Sequence, residues 1–411
     1  MDPRGRLCSL ASMLSGVLAL IAFLWVFRAA NVALSFTLIP RLAPAPPRLP
    51  GSPFVSIVVP ARNEERDVGE ATRSKCQQDD PAFEVVVVDD RSFDGTRRVL
   101  TALERDFPGV LSVVEGIEPP ADWLGKPHAL HEGACHARAR EPSDWLLFSD
   151  ADVRFGPSLL ARALAHAERE RFDFLTLFPE LEMGSFGERF MTPSVANVAF
   201  GYLPGWIMNV PGARSFGGGG GVFNLIRRDL FDRIGGHEAL KKSIVDDVQL
   251  GRNARLGGGR TGSAWALDAL SVRMYHGFWE TANGFAKNGY YGIGANLPLA
   301  VLVLALFFLE GVVPCAVLAV GIVERLSPRT AGVAYLFTFK EIILSSLVVF
   351  ATILVRGALH LRLRYPLVGV VLHPVWVAAI TGIFAWSTFV NGVLGRNTWR
   401  GRVRDARKLE F

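Results

Sequence analysis

Asp150 and Asp152 stand one residue apart, in Ser149-Asp150-Ala151-Asp152, directly after the apolar run Trp145-Leu146-Leu147-Phe148. A short aromatic and aliphatic run of this kind predicts a buried strand. Residues i and i+2 share a face of an extended chain, so the two carboxylates can point together beyond the strand end. Hard divalent cations take such oxygen ligands, and Mg2+ is commonly held by one or two carboxylates together with substrate phosphates. The pair reads as a metal–diphosphate site; capping of a following helix is the plainer role for such acids. A second pair, Asp246-Asp247, follows Ser243-Ile244-Val245. Ser243 and Asp246 have the spacing of an approximate capping box, which gives Asp246 a structural role and leaves Asp247 without one.

The elements that must position these acids are legible around them. Phe54–Pro60 and Phe83–Val88 are near-continuous apolar runs, as parallel strands covered on both faces are. Each is followed by a polar stretch opening a helix, Ala61-Arg62-Asn63-Glu64-Glu65 and Arg91-Ser92-Phe93-Asp94-Gly95-Thr96. Strands alternating with helical stretches predict βαβ units, whose ligands sit beyond the carboxyl ends of the strands. Asn63, Glu64, Asp89, Asp90, Asp150 and Asp152 all fall there. Asn63 and Asp94 are expected to cap the two helices. Lys126 precedes a helix over Pro127–Arg140 and makes an anion-friendly corner, although its spacing is not that of a Walker A loop. His128, His131 and Cys135 share a face of that helix, where packing is a commoner role than metal binding. The glycines Gly217 to Gly221 let backbone approach a ligand closely.

The segments VSIVVPARNEE, VVVVDDRSFDGT, WLGKPHALHEGA, LLFSDADV, FGGGGGVFNLIRRDLFDRIGG and SIVDDVQLGRNARLGGG occur in this order. Together they resemble glycosyltransferase family 2 with the GT-A fold, in the membrane-anchored branch of hopanoid-associated, carotenoid and ceramide glycosyltransferases. The resemblance covers roughly residues 53–290. It implies an α/β, Rossmann-like catalytic domain with a mostly parallel sheet. It also implies a nucleotide-sugar donor, uridine being favoured over guanosine. By position, Pro60, Ala61 and Glu64 would line the base and ribose, and Asp90 would accept from the uracil imide. Lys126 would meet the diphosphate or the base edge. Gly219 and Gly220 would lie under the donor sugar, with Asp246 beside it. Asp152 would be the main ligand of Mg2+ or Mn2+, Asp150 helping through the ribose or a metal-bound water, and His276 completing the set. Asp247 would be the catalytic base of a single inverting displacement. Processive members carry a (Q/R)xxRW motif; the stretch from His276 to Tyr290 offers Trp279 but no such pattern. A lipid hydroxyl acceptor, hopanoid, carotenoid or sphingolipid-like, is therefore favoured over polysaccharide synthesis. A catalytically inactive nucleotide-binding membrane scaffold is the reading from another class, and the intact set of acids speaks against it.

Composition supplies the membrane. Half of the 411 residues are hydrophobic, and the mean hydropathy is +0.27. Leu7–Phe27 carries no charge between Arg6 and Arg28 and is long enough to span, too long for a cleaved signal peptide. A proline-rich linker follows, so the expected division is 1–39 anchor, 40–53 linker, 54–292 catalytic domain, 293–395 C-terminal helices and 396–411 basic tail. Three C-terminal spans are expected, Leu297–Val323, Ala331–Val355 and one within Tyr365–Gly395. Glu310 and Lys340 are expected to neutralise each other between antiparallel spans. The loop Arg356–Arg364 and the tail Arg396–Lys408 are basic, which favours the cytoplasmic side but conflicts with three spans after a cytoplasmic domain. The catalytic domain is expected in the cytoplasm of a bacterial inner membrane, where activated nucleotide sugars are. Cys8, Cys76, Cys135 and Cys315 have no paired spacing, so neither a disulfide framework nor a zinc ribbon is implied. The net charge of +5 suits an anionic bilayer surface, and nothing resembles a nucleic-acid module.

Overall fold

A computed structural model of the chain describes residues 3–44, 53–79, 82–140, 144–210, 212–213, 218–292, 294–327, 335–399 and 402–405. It divides into two compact units. One takes Phe36–Glu182, Gly205–Met274 and Arg396–Phe411; the other takes Met1–Ser35, Met183–Pro204 and Tyr275–Gly395. The stretch expected as one catalytic block over 54–292 is thus shared between them. Within the helical unit, Phe190 and Met191 cluster with Trp376, Val377 and Ile380, and Phe278 and Phe285 pack on the same cluster. Those apolar contacts hold 183–204 and 275–292 among the long helices.

The first unit is built on strands β1 (Val55–Ala61), β2 (Phe83–Asp89), β3 (Leu111–Glu115), β4 (Trp145–Phe148), β5 (Val153–Phe155), β6 (Phe174–Phe178), β7 (Glu180–Leu181), β8 (Asn224–Arg227), β9 (Thr261–Trp265) and β10 (Leu270–Val272). Seven form one sheet in the order β3-β2-β1-β4-β8-β6-β9, and β5-β10-β7 form a small second sheet. In the large sheet β8 alone runs antiparallel to its neighbours β4 and β6; the other pairs are parallel. Both faces of the central strands are covered: Ile57, Val58, Val59, Val85, Val86, Val87 and Val88 are all fully buried. Each such side chain contributes about 1.5–3 kcal/mol when removed from water. Val86 and Val88 pack on Ala129 and Ala137 of helix Gly125–Arg140. Val58, Phe148 and Phe174 share a cluster with Leu250 and Ala254 of helix Asp246–Leu256. The sheet therefore carries both site helices, and its register sets their ends: Ala61 lies opposite Asp89, and Phe148 opposite Asn224.

Among the described residues, four helices are long and apolar enough to cross a membrane: Met13–Leu38, Leu297–Leu326, Phe339–Arg362 and His373–Val393. The first belongs to a helix, Pro3–Leu38, that runs well past the expected span, so Arg28 does not flank it but is buried on it. Arg28 pairs with Glu310, and Tyr202 donates to the same carboxylate oxygen at 3.2 Å. The expected Glu310–Lys340 pair is overturned. Glu310 is midway along its helix, whereas Lys340 is exposed in the first turn of Phe339–Arg362. Glu341 beside it is buried in a capping box with Thr338, so the two charges open that helix and do not interrupt it. Arg356, expected in a basic loop, lies within the same helix and is buried. Removing one member of a buried ion pair strands the other, at about 3–5 kcal/mol. Glu310→Gln should accordingly lower the unfolding temperature in detergent, while Lys340→Ala should change stability by no more than about 0.5 kcal/mol; the reverse order would restore the expected pairing.

Candidate active site

The ends of β1 and β2 build one half of the site. Asp90 N donates to Ala61 O at 2.8 Å, carrying the chain of β2 past the tip of β1. Asp90 is 6 % exposed and sits between two guanidinium groups, Arg91 at 3.1 Å and Arg62 at 3.9 Å. Burial raises its carboxyl above the usual range despite both arginines. Asn63 does not cap a helix, because the first helix begins only at Val68. It takes a left-handed backbone, φ 54°, and ties two loops together: its Oδ1 accepts from Phe93 N and its N donates to Ser92 Oγ, both at 3.0 Å. Asp94 does serve its helix, accepting from Thr96 N at 3.0 Å and from Glu65 N at 3.2 Å. Thr96 Oγ1 accepts from Glu64 N at 2.8 Å. Pro60, Ala61, Glu64 and Asp90 are thereby brought to one corner of the sheet.

The other half gathers where β4 and β8 meet the two site helices. Lys126, Asp150, Gly221, Asn224, His237, Asp246 and Asp247 line a single small pocket. Lys126 Nζ lies 2.8 Å from Asp150 Oδ1 and 4.0 Å from Asp246 Oδ2. Asp150 N donates to Gly221 O at 2.8 Å, and Ser149 Oγ to Val222 O at 2.8 Å, fixing the acid against the glycine loop. A Cβ on Gly221 would collide with the Asp150 carboxylate, and one on Gly219 with the Asp247 carbonyl. Gly220 meets nothing, and its N–H donates to Asn224 Oδ1 at 3.3 Å. Asp246 and Asp247 occupy the first turn of their helix, where the macrodipole favours negative charge. The expected capping box is absent: the residue preceding the helix is Val245, and the Ser243 hydroxyl makes no hydrogen bond.

Electrostatics distinguish these acids. Burial raises Asp246 and Asp247, with Asp150 adding to both and Lys126 opposing. Burial also works against the charge on Lys126, but Asp150, Asp246 and Asp247 outweigh it and hold the ammonium well above its ordinary range. Asp152 is raised by burial and by Asp150, while Lys75 pulls it down. The strand ends at Phe148 and a turn follows at 151–152, so the two acids do not share an extended face. Lys75 is fully buried, donates to Val153 O, and is brought down to about 7 by burial against the pull of Asp152 and Asp150.

Sequence reasoning placed Lys126, Asp150, Asp246 and Asp247 in the site, and the fold brings them together. His276 belongs to the helical unit. Among the described residues no group of three or more His, Cys, Asp and Glu side chains is disposed to hold a metal ion. Asp150 and Asp152 are hard carboxylates, the charge of Asp150 raising Asp152, and they suit a divalent cation, which commonly takes its remaining ligands from phosphate and water. Lys75 and His237 were missed. Lys75 reads as an ordinary helix lysine. His237, in Gly235-Gly236-His237, reads as a turn; it is 1 % exposed, edge-on to Phe148 at 4.5 Å, and held down at about 3 by burial, hence neutral. Its Nδ1 makes no hydrogen bond.

Residues 56–246 match the family model described as Glycosyl transferase family 2. A protein of Staphylococcus aureus (strain USA300), described as 4,4'-diaponeurosporenoate glycosyltransferase, is 24 % identical over 368 residues, spanning 85 % of this chain and 87 % of its own length. A protein of the same description from the bovine strain RF122 is 27 % identical over 273 residues, 62 % of this chain and 66 % of its own. The solved structure of a mannosyltransferase from Pyrobaculum calidifontis, in complex with GDP-Man and Mn2+, matches with a TM-score of 0.50 at 17 % identity, covering 92 % of this chain and 99 % of that one. That likeness is one of fold.

An acid raised on folding binds protons more tightly folded than unfolded, so its contribution to stability is greatest at low pH and is lost as pH rises through the raised value. Asp246→Asn removes such a group. At about pH 8 this variant should be more stable than the parent by an amount on the order of 1 kcal/mol, a gain that shrinks by about pH 5. Thermal unfolding at both pH values measures it; a loss of stability at the higher pH would show the acid to be a net stabiliser.

Proposed function

We propose that this chain, whose residues 56–246 match the family model described as Glycosyl transferase family 2, is a glycosyltransferase of that family that moves a sugar from a uridine diphosphate donor to the hydroxyl of a membrane lipid, with inversion. The observation that carries this reading is the convergence of Lys126, Asp150, Asp246 and Asp247 on one pocket that Gly221 also lines. Asp247, whose Oδ1 accepts from Val248 N at 2.9 Å at the helix start, takes the proton from the acceptor hydroxyl as that oxygen attacks the anomeric carbon. Attack opposite the leaving group inverts the centre in one step. Lys126, in the first turn of its helix, offers an ammonium to the donor diphosphate. Asp90, with Pro60, Ala61 and Glu64, takes the base and ribose, its carboxylate accepting from the uracil imide. Gly219 and Gly220 form the floor under the sugar. Asp150 and Asp152 would hold Mg2+ or Mn2+ together with the diphosphate oxygens. Such a cation, when bound, stabilises the charge that develops on the departing diphosphate.

A lipid acceptor is supported by the four apolar helices and by the described activity of the S. aureus relatives. The exposed Trp279 at the start of helix Phe278–Gly292 suits a membrane–water boundary. The catalytic unit is proposed to face the cytoplasm of a bacterial cell membrane, where nucleotide sugars are supplied. Comparison of lipid extracts from cells with and without the intact protein, by mass spectrometry, identifies the acceptor; the absence of any glycolipid difference would remove the lipid reading.

Two outcomes test the chemistry. Asp247→Asn should keep UDP binding and lose transfer by about 10²–10⁴-fold, the usual worth of a general base; transfer at the parental rate would remove Asp247 from that role. Because Asp247 is raised by burial and by Asp150, transfer should fall with acidification at a pH above the ordinary carboxylate range. A pH–rate profile whose acidic limb lies at or below about pH 4, the unperturbed aspartate value, would contradict that assignment.

A further inference from the structure

The helical unit holds a second polar centre that sugar transfer does not use. Arg28 and Arg356 are 4 % and 1 % exposed. Arg28 has Glu310 as its partner. Arg356 has no acid among the described residues: its Nη1 donates to His373 Nδ1, and its guanidinium lies 3.8 Å from the centroid of the Trp376 ring. Arg356 Nε and Nη2 make no hydrogen bond. Since His373 Nδ1 accepts, its Nε2 carries the proton, and that donor is also without a partner. Trp25 Nε1 and Arg28 Nε are in the same position. Trp25 stands edge-on to His373 at 6.3 Å, Arg28 lies over the Trp25 ring at 3.9 Å, and His373 stacks on Trp376 at 6.1 Å, so these groups are contiguous.

Every missing partner here is an acceptor, and of the two guanidinium groups only Arg28 has a carboxylate partner among the described residues. A buried donor left unpaired costs about 1–3 kcal/mol, and such groups in folded proteins usually mark an ion or water that completes them. Water would satisfy the donors and leave the charge; an oxyanion does both. The unpaired nitrogens are closed to solvent, so a free aqueous anion must shed its hydration and the surrounding side chains must give way. A lipid offsets that cost, because its hydrocarbon tail stays on the apolar flanks of the helices. We infer that this cluster binds the oxyanion of an anionic lipid, with Arg356 as the principal ligand and His373 and Trp25 as additional donors. The inference rests on neither the acceptor reading nor the roles proposed for the transfer pocket.

The test uses the full-length protein in detergent, with its unfolding temperature measured after addition of phosphatidylglycerol, oleate, phosphatidylcholine or inorganic phosphate. A rise with phosphatidylglycerol or oleate, without one from phosphatidylcholine or inorganic phosphate, is the expected result; the first two separate a phosphate headgroup from a carboxylate. An equal rise with phosphatidylcholine, or a rise with inorganic phosphate alone, overturns the proposal. Arg356→Met should be at least as stable as the parent without lipid, since an unpaired buried charge is gone, and should lose the response to anionic lipid. A merely structural arginine would instead make the variant weaker and leave the lipid response intact. Should that variant fail to fold, native mass spectrometry of the parent decides: anionic lipid retained roughly tenfold over zwitterionic lipid supports the site, and equal retention or none removes it.

Discussion

A single ammonium group holds the candidate site together. Lys126 sits against Asp150 and within reach of Asp246, and its charge opposes the repulsion that burial would otherwise magnify among Asp150, Asp246 and Asp247. It draws Asp246 and Asp247 down against the burial that raises them, and a protonated acid neither receives a proton from a hydroxyl nor binds a cation. The rest of the architecture delivers that lysine and those acids to one place. The sheet sets the ends of β4 and β8 side by side, and the helices bearing Lys126 and Asp247 rest on the same core.

Around this centre the backbone is packed to its limit. The glycine loop touches both Asp150 and the carbonyl of Asp247, so displacing either acid displaces the loop. Further along the helix of Asp247, Arg255 donates to the carbonyl oxygens of Ile207, Met208 and Val210, all within 3.3 Å. Asn209, in that same segment, both accepts from Ser263 N and donates to Ser263 O, which ties the segment to β9. The orientation of the Asp247 helix is thus set by hydrogen bonds as well as by its apolar face.

Much of this is legible in the sequence, for identifiable reasons. Near-continuous valine and isoleucine runs announce the parallel strands, and acids at their ends announce the site edge. What is not legible depends on tertiary neighbours. Asp152 is expected to share a face with Asp150, but a turn separates their surroundings and leaves Asp152 under the influence of Lys75, a lysine that carries no sequence signal. The Glu310–Lys340 pair fails because helix boundaries decide depth: a helix that starts at Phe339 puts Lys340 at its end, where a span beginning at Ala331 would have put it midway. Arg28 reads as a flank because a lone arginine ordinarily ends an apolar span; its burial becomes tolerable only through a partner 282 residues away.

The capping box of Ser185 and Glu188 has a bearing on how this protein can be divided. Glu188 is 1 % exposed and accepts not only from its own helix start but from Gly277 N at 2.8 Å, while Phe190 and Met191 rest on Trp376 and Ile380. Truncating the chain before residue 36 and after residue 274 would leave this short excursion behind, its carboxylate without that amide and its greasy side without cover. A soluble catalytic fragment therefore cannot be made by trimming the termini alone; it needs 183–204 replaced by a polar bridge between Glu182 and Gly205.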